Sequence, residues 1–121
     1  MQISDRFRGY LPVVVDLETG GFSKEDNPIL EVACSFITMR DDQLCIKNSA
    51  SWSLEPFEGS HIEPASLKIT GIDLDDPNRN AIDEREALIE FFKVVRDEMK
   101  FAGCHRAIMV AHNASFDQGF L

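Results

Sequence analysis

The chain is short of several things at once. It has three cysteines, Cys34, Cys45 and Cys104, widely spaced and odd in number. Such a set makes neither a zinc pattern nor a disulfide framework, and it reads as reduced, mostly buried thiols in a cytosolic protein. No run of about 18 apolar residues occurs, so no transmembrane helix and no membrane partner is predicted. The opening residues Met1-Gln2-Ile3-Ser4-Asp5-Arg6 lack the apolar core of a secretory signal. The acceptor-like triplet Asn113-Ala114-Ser115 is discounted as a glycosylation site for that reason. Basic side chains are also scarce, with 12 Lys and Arg against 21 Asp and Glu and a net charge of −9. That balance argues against a passive, salt-driven nucleic-acid binder. It leaves room for a metal-dependent enzyme, because bound cations invert the charge of an acidic site locally.

What is present suits one domain over residues 1–121, with 44% hydrophobic residues and nine phenylalanines to fill a core. The stretch Val13-Val14-Val15-Asp16-Leu17-Glu18-Thr19-Gly20-Gly21-Phe22 stands out. β-branched residues make a strand, two carboxylates close it, and two glycines break it. Side chains alternate along a strand, so Asp16 and Glu18 share a face, with Cα atoms about 6.6 Å apart. Two like charges on one face are unfavourable unless something positive lies between them, and a divalent cation is the simplest candidate. An Asp-x-Glu triplet can equally be a solvated pair. Its place at the end of an apolar strand favours a site, since α/β folds put ligands at the carboxyl ends of strands.

Residues 1–10 read as a solvated lead-in, with Arg6 and Arg8 as a minor phosphate-contact candidate. The first strand covers about Leu11 to Leu17, and Gly20 to Pro28 is a loop. Phe22 in that loop either tucks into the core or, beside two carboxylates, stacks on a base. Ile29–Met39 and Leu44–Leu54 read as an antiparallel hairpin turning at Asp41-Asp42-Gln43. A short helix is predicted over about Pro64–Ile69, with proline at its first position, and Asp73–Asn80 is a loop. Asp83-Glu84-Arg85-Glu86 opens the best helix of the chain, by a capping box with Asp in place of Ser or Thr. Leu88, Phe91, Phe92, Val95 and Met99 form its core stripe, and Gly103 stops it. Arg106 to Ala111 suits a strand buried on both faces. Asn113 is a fair N-cap for a helix with Asp117 in or just after its first turn. Phe116, Phe120 and Leu121 begin an apolar stripe that nothing closes, which predicts a native protein longer than this chain.

If the two buried strands are neighbours, Asp16, Glu18 and Asp117 meet at one sheet edge. Three carboxylates suit two magnesium ions, which can activate water and stabilise the leaving oxygen of a phosphodiester.

Asp16-Leu17-Glu18-Thr19-Gly20-Gly21-Phe22 and His112-Asn113-Ala114-Ser115-Phe116-Asp117 resemble the first two motifs of the proofreading-type 3′→5′ exonuclease family with four acidic residues. Within it the chain is most similar to the ribonuclease T group of bacteria. The likeness runs through Asp5-Arg6-Phe7-Arg8-Gly9, Pro12-Val13-Val14, Ile72-Asp73, Asp76-Pro77, Phe92-Lys93-Val94-Val95-Arg96 and Arg106-Ala107-Ile108-Met109-Val110-Ala111. The resemblance implies a ribonuclease-H-like α/β fold: a mixed sheet of three antiparallel strands and then a parallel one, flanked by helices and cut short at its C-terminus. It implies Asp16, Glu18 and Asp117 as catalytic metal ligands for two Mg2+, with Mn2+ able to substitute.

It also implies trimming of RNA 3′ ends in the cytoplasm, above all transfer RNA with turnover of its CCA end. It implies other small stable RNAs and single-stranded DNA ends as further substrates, and a homodimer. Phe22 and Phe116 stand at aromatic base-stacking positions. Ile69 stands where a third phenylalanine is usual, and Ala65 replaces a nearby acidic residue. Arg6, Arg8 and Arg106 match residues that grip the RNA body across the dimer. The family's third motif, with a general-base histidine and a fourth aspartate, has no counterpart here. His61 and His105 lie outside the motifs, and His112 is expected to pack at its strand end. The 121-residue chain alone is therefore expected to be inactive. Competing readings are an oligoribonuclease or DNA proofreading exonuclease, and a non-catalytic RNA-binding or dimerisation module.

Overall fold

The computed structural model describes all 121 residues. Its elements are α1 (Ile3–Arg6), β1 (Tyr10–Thr19), β2 (Ile29–Arg40), β3 (Gln43–Ser53), α2 (Pro64–Thr70), α3 (Glu84–Ala102), β4 (Arg106–Val110) and α4 (Ala114–Phe120), with a 3-10 turn at Pro77–Arg79. The strands form one sheet in the order β3-β2-β1-β4. β1 and β2 are antiparallel, as are β2 and β3, while β4 lies parallel to β1. The expected mixed sheet is therefore present.

Alternation along β1 divides the sheet into a packed face and an open one. Leu11, Val13, Val15 and Leu17 are buried and join Val32, Cys34 and Phe36 of β2 in one core. α3 closes that face through Ala87, Phe91 and Val95. Each of the valines, leucines and phenylalanines among them contributes about 1.5–3 kcal/mol on burial. The β2–β3 hairpin turns on two residues, Asp41 (φ 52°) and Asp42 (φ 60°), both left-handed, as the tightest hairpin loop requires. α3 starts at Asp83 as expected, its carboxylate accepting from the backbone N–H groups of Arg85 and Glu86, but the Glu86 side chain does not reach back to the Asp83 N–H, so the expected capping box is half made. It ends at Gly103, which is left-handed at φ 69°.

Between Leu54 and Ile82 the chain makes a long excursion. The two residues pair as an isolated parallel bridge, which closes it. Arg79 pins the closure from within: its Nη2 donates to the carbonyl oxygens of Leu30 (2.8 Å) and Leu54 (2.7 Å).

Four expectations about packing are corrected. Residues 1–10 are not merely a solvated lead-in, because Ile3 on α1 is buried in the core. β1 runs on to Thr19, two residues past the expected end at Leu17, so Glu18 lies within the strand as Asp16 does. Phe92 of the α3 stripe is exposed, since the sheet is met by the side of the helix that bears Phe91 and Val95. β4 is not buried on both faces: it is an edge strand whose Ile108 and Val110 remain 49% and 45% exposed on the open face. An apolar run reports what a strand can bury against, and for β4 this chain supplies only β1 and one covered face. Of the cysteines, Cys34 and Cys104 are buried as expected, Cys45 is half-buried, and all three are free thiols.

Candidate active site

Three elements converge at the carboxyl end of β1. The strand presents Asp16 and Glu18 on its open face, where Asp16 is exposed and Glu18 half-buried. The parallel neighbour β4 delivers the chain to α4, and the first turn of α4 carries Asp117, only 5% exposed. Adjacency of the two strands thus brings together the three carboxylates expected from sequence. Asn113 does not cap α4 as expected. It is itself left-handed (φ 56°), and its side chain makes no capping hydrogen bond. The tight left-handed step, and not a side-chain oxygen, turns the chain from β4 into α4. His112 does not pack at the strand end either; it is exposed and lies near enough to Asp117 for its charge to act there.

The electrostatics record this crowding. The Glu18 carboxyl is held above the usual carboxylate range, first by burial and then by the negative charges of Asp16, Glu31 and Asp117. Asp117 is raised by burial and by Asp16, with His112 pulling in the opposite direction. No ion pair with a lysine or arginine neutralises any of the four. No three His, Cys, Asp or Glu side chains are drawn close enough here to ligate one ion. In donor chemistry the residues fit a hard divalent cation: only carboxylate oxygens, one side chain nearly buried, with no lysine or arginine paired to them. Glu31 is the member that sequence reasoning missed. It sits directly opposite Glu18 on β2. Finding it required the β1–β2 register, and the connecting loop from Gly20 to Pro28 is too long for turn chemistry to fix that register.

Next to Glu18 lies a small cleft of about 150 Å³ whose lining includes Phe22, Ser66, Ile69, Thr70 and Phe116. Phe22 is 86% exposed, so it is not a core residue, and it meets Phe116 edge-on with ring centroids 6.0 Å apart. Ile69, 81% exposed, faces them from α2. The cleft is held together by backbone ties between the loop after β1 and the segment before α2. The N–H groups of His61 and Glu63 donate to the carbonyl oxygens of Asp26 and Gly20, both at 2.7 Å. Asn27, almost fully buried, accepts from the Ser23 N–H (2.8 Å) and donates to the His61 carbonyl (2.7 Å). A Cβ on Gly21 would collide with the Asn27 side chain, so close approach of the backbone requires glycine there.

Arg6, Arg8 and Arg106 do not join this corner. Arg106 pairs with Tyr10 at the opposite, amino end of the β1–β4 pair, and Arg8 immediately precedes that end. Arg6 lies over the Phe7 ring at 5.0 Å. None of the three arginines has an acidic partner, and all are exposed.

Comparison with known proteins agrees with this geometry. The exonuclease family model matches residues 13–121. The chain is 46% identical over 121 residues to ribonuclease T of Shewanella sp. strain W3-18-1, covering 99% of this chain and 54% of that protein. It is 48% identical over 117 residues to ribonuclease T of Shewanella frigidimarina, covering 96% and 53%. The chain thus spans about half the length of the curated relatives it matches. Among solved structures, E. coli exonuclease I in complex with a dT13 oligonucleotide superposes with a TM-score of 0.68 at 14% identity. That match covers 92% of this chain and 22% of that one. A product-bound exonuclease I gives the same score and identity. At that identity the likeness speaks for the fold alone, which is ribonuclease-H-like.

Proposed function

The chain belongs to the exonuclease family, and from that premise we propose that the whole protein is a divalent-metal-dependent 3′→5′ exoribonuclease. The observation that carries this reading is the convergence of Asp16, Glu18 and Asp117 beside a cleft walled by Phe22 and Phe116. Residues 1–121 are read as part of one exonuclease domain. Its proposed substrates are the 3′ ends of transfer RNA, including the CCA end, other small stable RNAs and single-stranded DNA ends. A soluble homodimer in the cytoplasm is the proposed setting, and no helix is long and apolar enough to cross a membrane.

In this mechanism Asp16, Glu18 and Asp117 hold two Mg2+ ions, for which Mn2+ can substitute. Bound there, the ions supply Lewis-acid activation of water and neutralise charge at the leaving oxygen. Phe22 and Phe116 stack on and orient the terminal bases, a contact that tolerates any base because each has a π-face. Ile69 adds apolar contact without an aromatic face. Water adds to the last phosphorus and the bond to the 3′ oxygen breaks. A nucleoside 5′-monophosphate and a new 3′-hydroxyl result. Arg6, Arg8 and Arg106 are proposed to hold the RNA body, one protomer serving the site of its partner.

The mechanism needs a group to take the proton of the attacking water. None of His61, His105 and His112 is assigned that role, so the 121-residue chain alone is proposed to be inactive. The test is release of nucleoside monophosphate from 5′-labelled single-stranded RNA with Mg2+. The whole protein is expected to shorten the RNA stepwise from its 3′ end. Asp16→Asn should lower the rate on the order of 10²–10³-fold, the scale of losing one group that acts in a transition state. Undiminished cleavage by Asp16→Asn would sink the assignment, and cleavage by the 121-residue chain would sink the proposed need for a further base.

A further inference from the structure

Glu31 and Glu18 occupy the last regular rung of the β1–β2 ladder. They are cross-strand partners, so their side chains leave the same face of the sheet, with Cβ atoms about 4.5–5.5 Å apart. Immediately beyond them the register slips, and Thr19 pairs with Ile29. The rung therefore sits at the mouth of the acidic corner, on the open face that also bears Asp16. Like charges directly opposite destabilise a sheet. No lysine or arginine relieves this pair. A second observation points the same way. Asp117, on a different element, is 5% exposed, and its carboxylate takes part in no side-chain hydrogen bond or ion pair. A nearly buried carboxylate with no side-chain partner and an unrelieved cross-strand glutamate pair, brought to one corner, are the arrangement that a cation would relieve.

We propose that Glu31 is a positioning residue of the acidic site, a fourth carboxylate that concentrates negative charge opposite Glu18 and so tightens the hold on divalent cations. This rests on the metal-dependent reading above. Glu31 is not assigned as a ligand. It acts through Glu18, by keeping that carboxylate turned away from β2 and by adding to the local field.

The test is calorimetric titration of Mn2+ into the whole protein, wild type against Glu31→Gln and Glu31→Asp, with thermal melts in EDTA beside it. Glu31→Gln keeps the shape and removes the charge. It should weaken Mn2+ binding about tenfold, the scale of losing a group that supports a ligand, and raise the melting temperature of the metal-free protein. Glu31→Asp restores the charge and should recover most of the affinity, which a merely structural role would not do. Wild-type binding with Glu31→Gln unchanged within twofold overturns this inference alone. Failure of the wild type to bind Mn2+ overturns the metal-dependent reading with it.

Discussion

The two ends of the β1–β4 pair are chemical opposites. At the amino end stand Arg6, Arg8, His105 and Arg106, with His105 against Tyr10 at 5.9 Å. At the carboxyl end stand Asp16, Glu18, Glu31 and Asp117. The basic end is exposed and its arginines are unpaired; the acidic end is partly buried and walled by aromatic rings. A net charge of −9 averages over these two regions and describes neither. One strand pair separates the exposed basic end from the partly buried acidic one, with about 20 Å of strand between Tyr10 and Asp16. Glycine serves both ends by allowing close approach. A Cβ on Gly9 would strike the His105 ring, as one on Gly21 would strike Asn27.

The comparison can be broken first at the acidic end. Gly21→Ala should cost about 1–3 kcal/mol, because Asn27 is fixed by two hydrogen bonds and cannot yield cheaply. Denaturant melts measure the loss, and the displaced loop should take Phe22 out of the cleft. The basic end is probed by the double substitution Arg8→Ala with Arg106→Ala. Affinity for single-stranded RNA should fall, and the slope of log affinity against log salt should shrink by about 0.7 for each phosphate no longer neutralised. Mn2+ affinity should stay the same, and Asp16→Asn should show the reverse pattern. If both sets of variants alter both properties, the two ends are not separate devices.

The smallest expected effect is electrostatic. Asp117 and Glu18 have raised pKa values in the fold, so the folded state binds more protons than the unfolded chain just above the ordinary carboxylate range. Their contribution to stability is therefore fully present below the unfolded values and is lost as pH rises through the raised ones. Asp117→Asn should raise the metal-free melting temperature at pH 7 by a few degrees, on the order of 1 kcal/mol. The gain should vanish near pH 3. A gain that persists in acid would mean packing and not charge.

Much of this was legible in the sequence because the signals were local. Alternation in Val13–Glu18 gave a shared carboxylate face, Asp41-Asp42 gave the hairpin, and Asp83 with Gly103 bounded α3. Motif likeness put Asp117, Phe22 and Phe116 into one site, and the fold does gather them in one corner. What stayed illegible depended on partners far along the chain. Glu31 matters through a register that no tight turn fixes. The exposure of β4 and of Phe92 depends on which faces other elements reach, and an apolar pattern does not say that. The Asn113 cap failed because the backbone made the turn on its own.

Arg79 gives the architecture its cooperativity. Its partners, Leu30 and Leu54, lie 49 and 25 residues away, and each offers a carbonyl in the most deeply buried part of the fold. If the excursion between Leu54 and Ile82 swung free, the Leu54 carbonyl would be left without a donor in a place water reaches poorly, a cost of about 1–3 kcal/mol, while the Leu30 oxygen would keep only the Leu54 N–H at 2.9 Å. Opening of the closure at Leu54 and Ile82 is thereby coupled to the sheet. A single guanidinium thus fastens the excursion that carries one wall of the cleft to the strands on which the carboxylates stand.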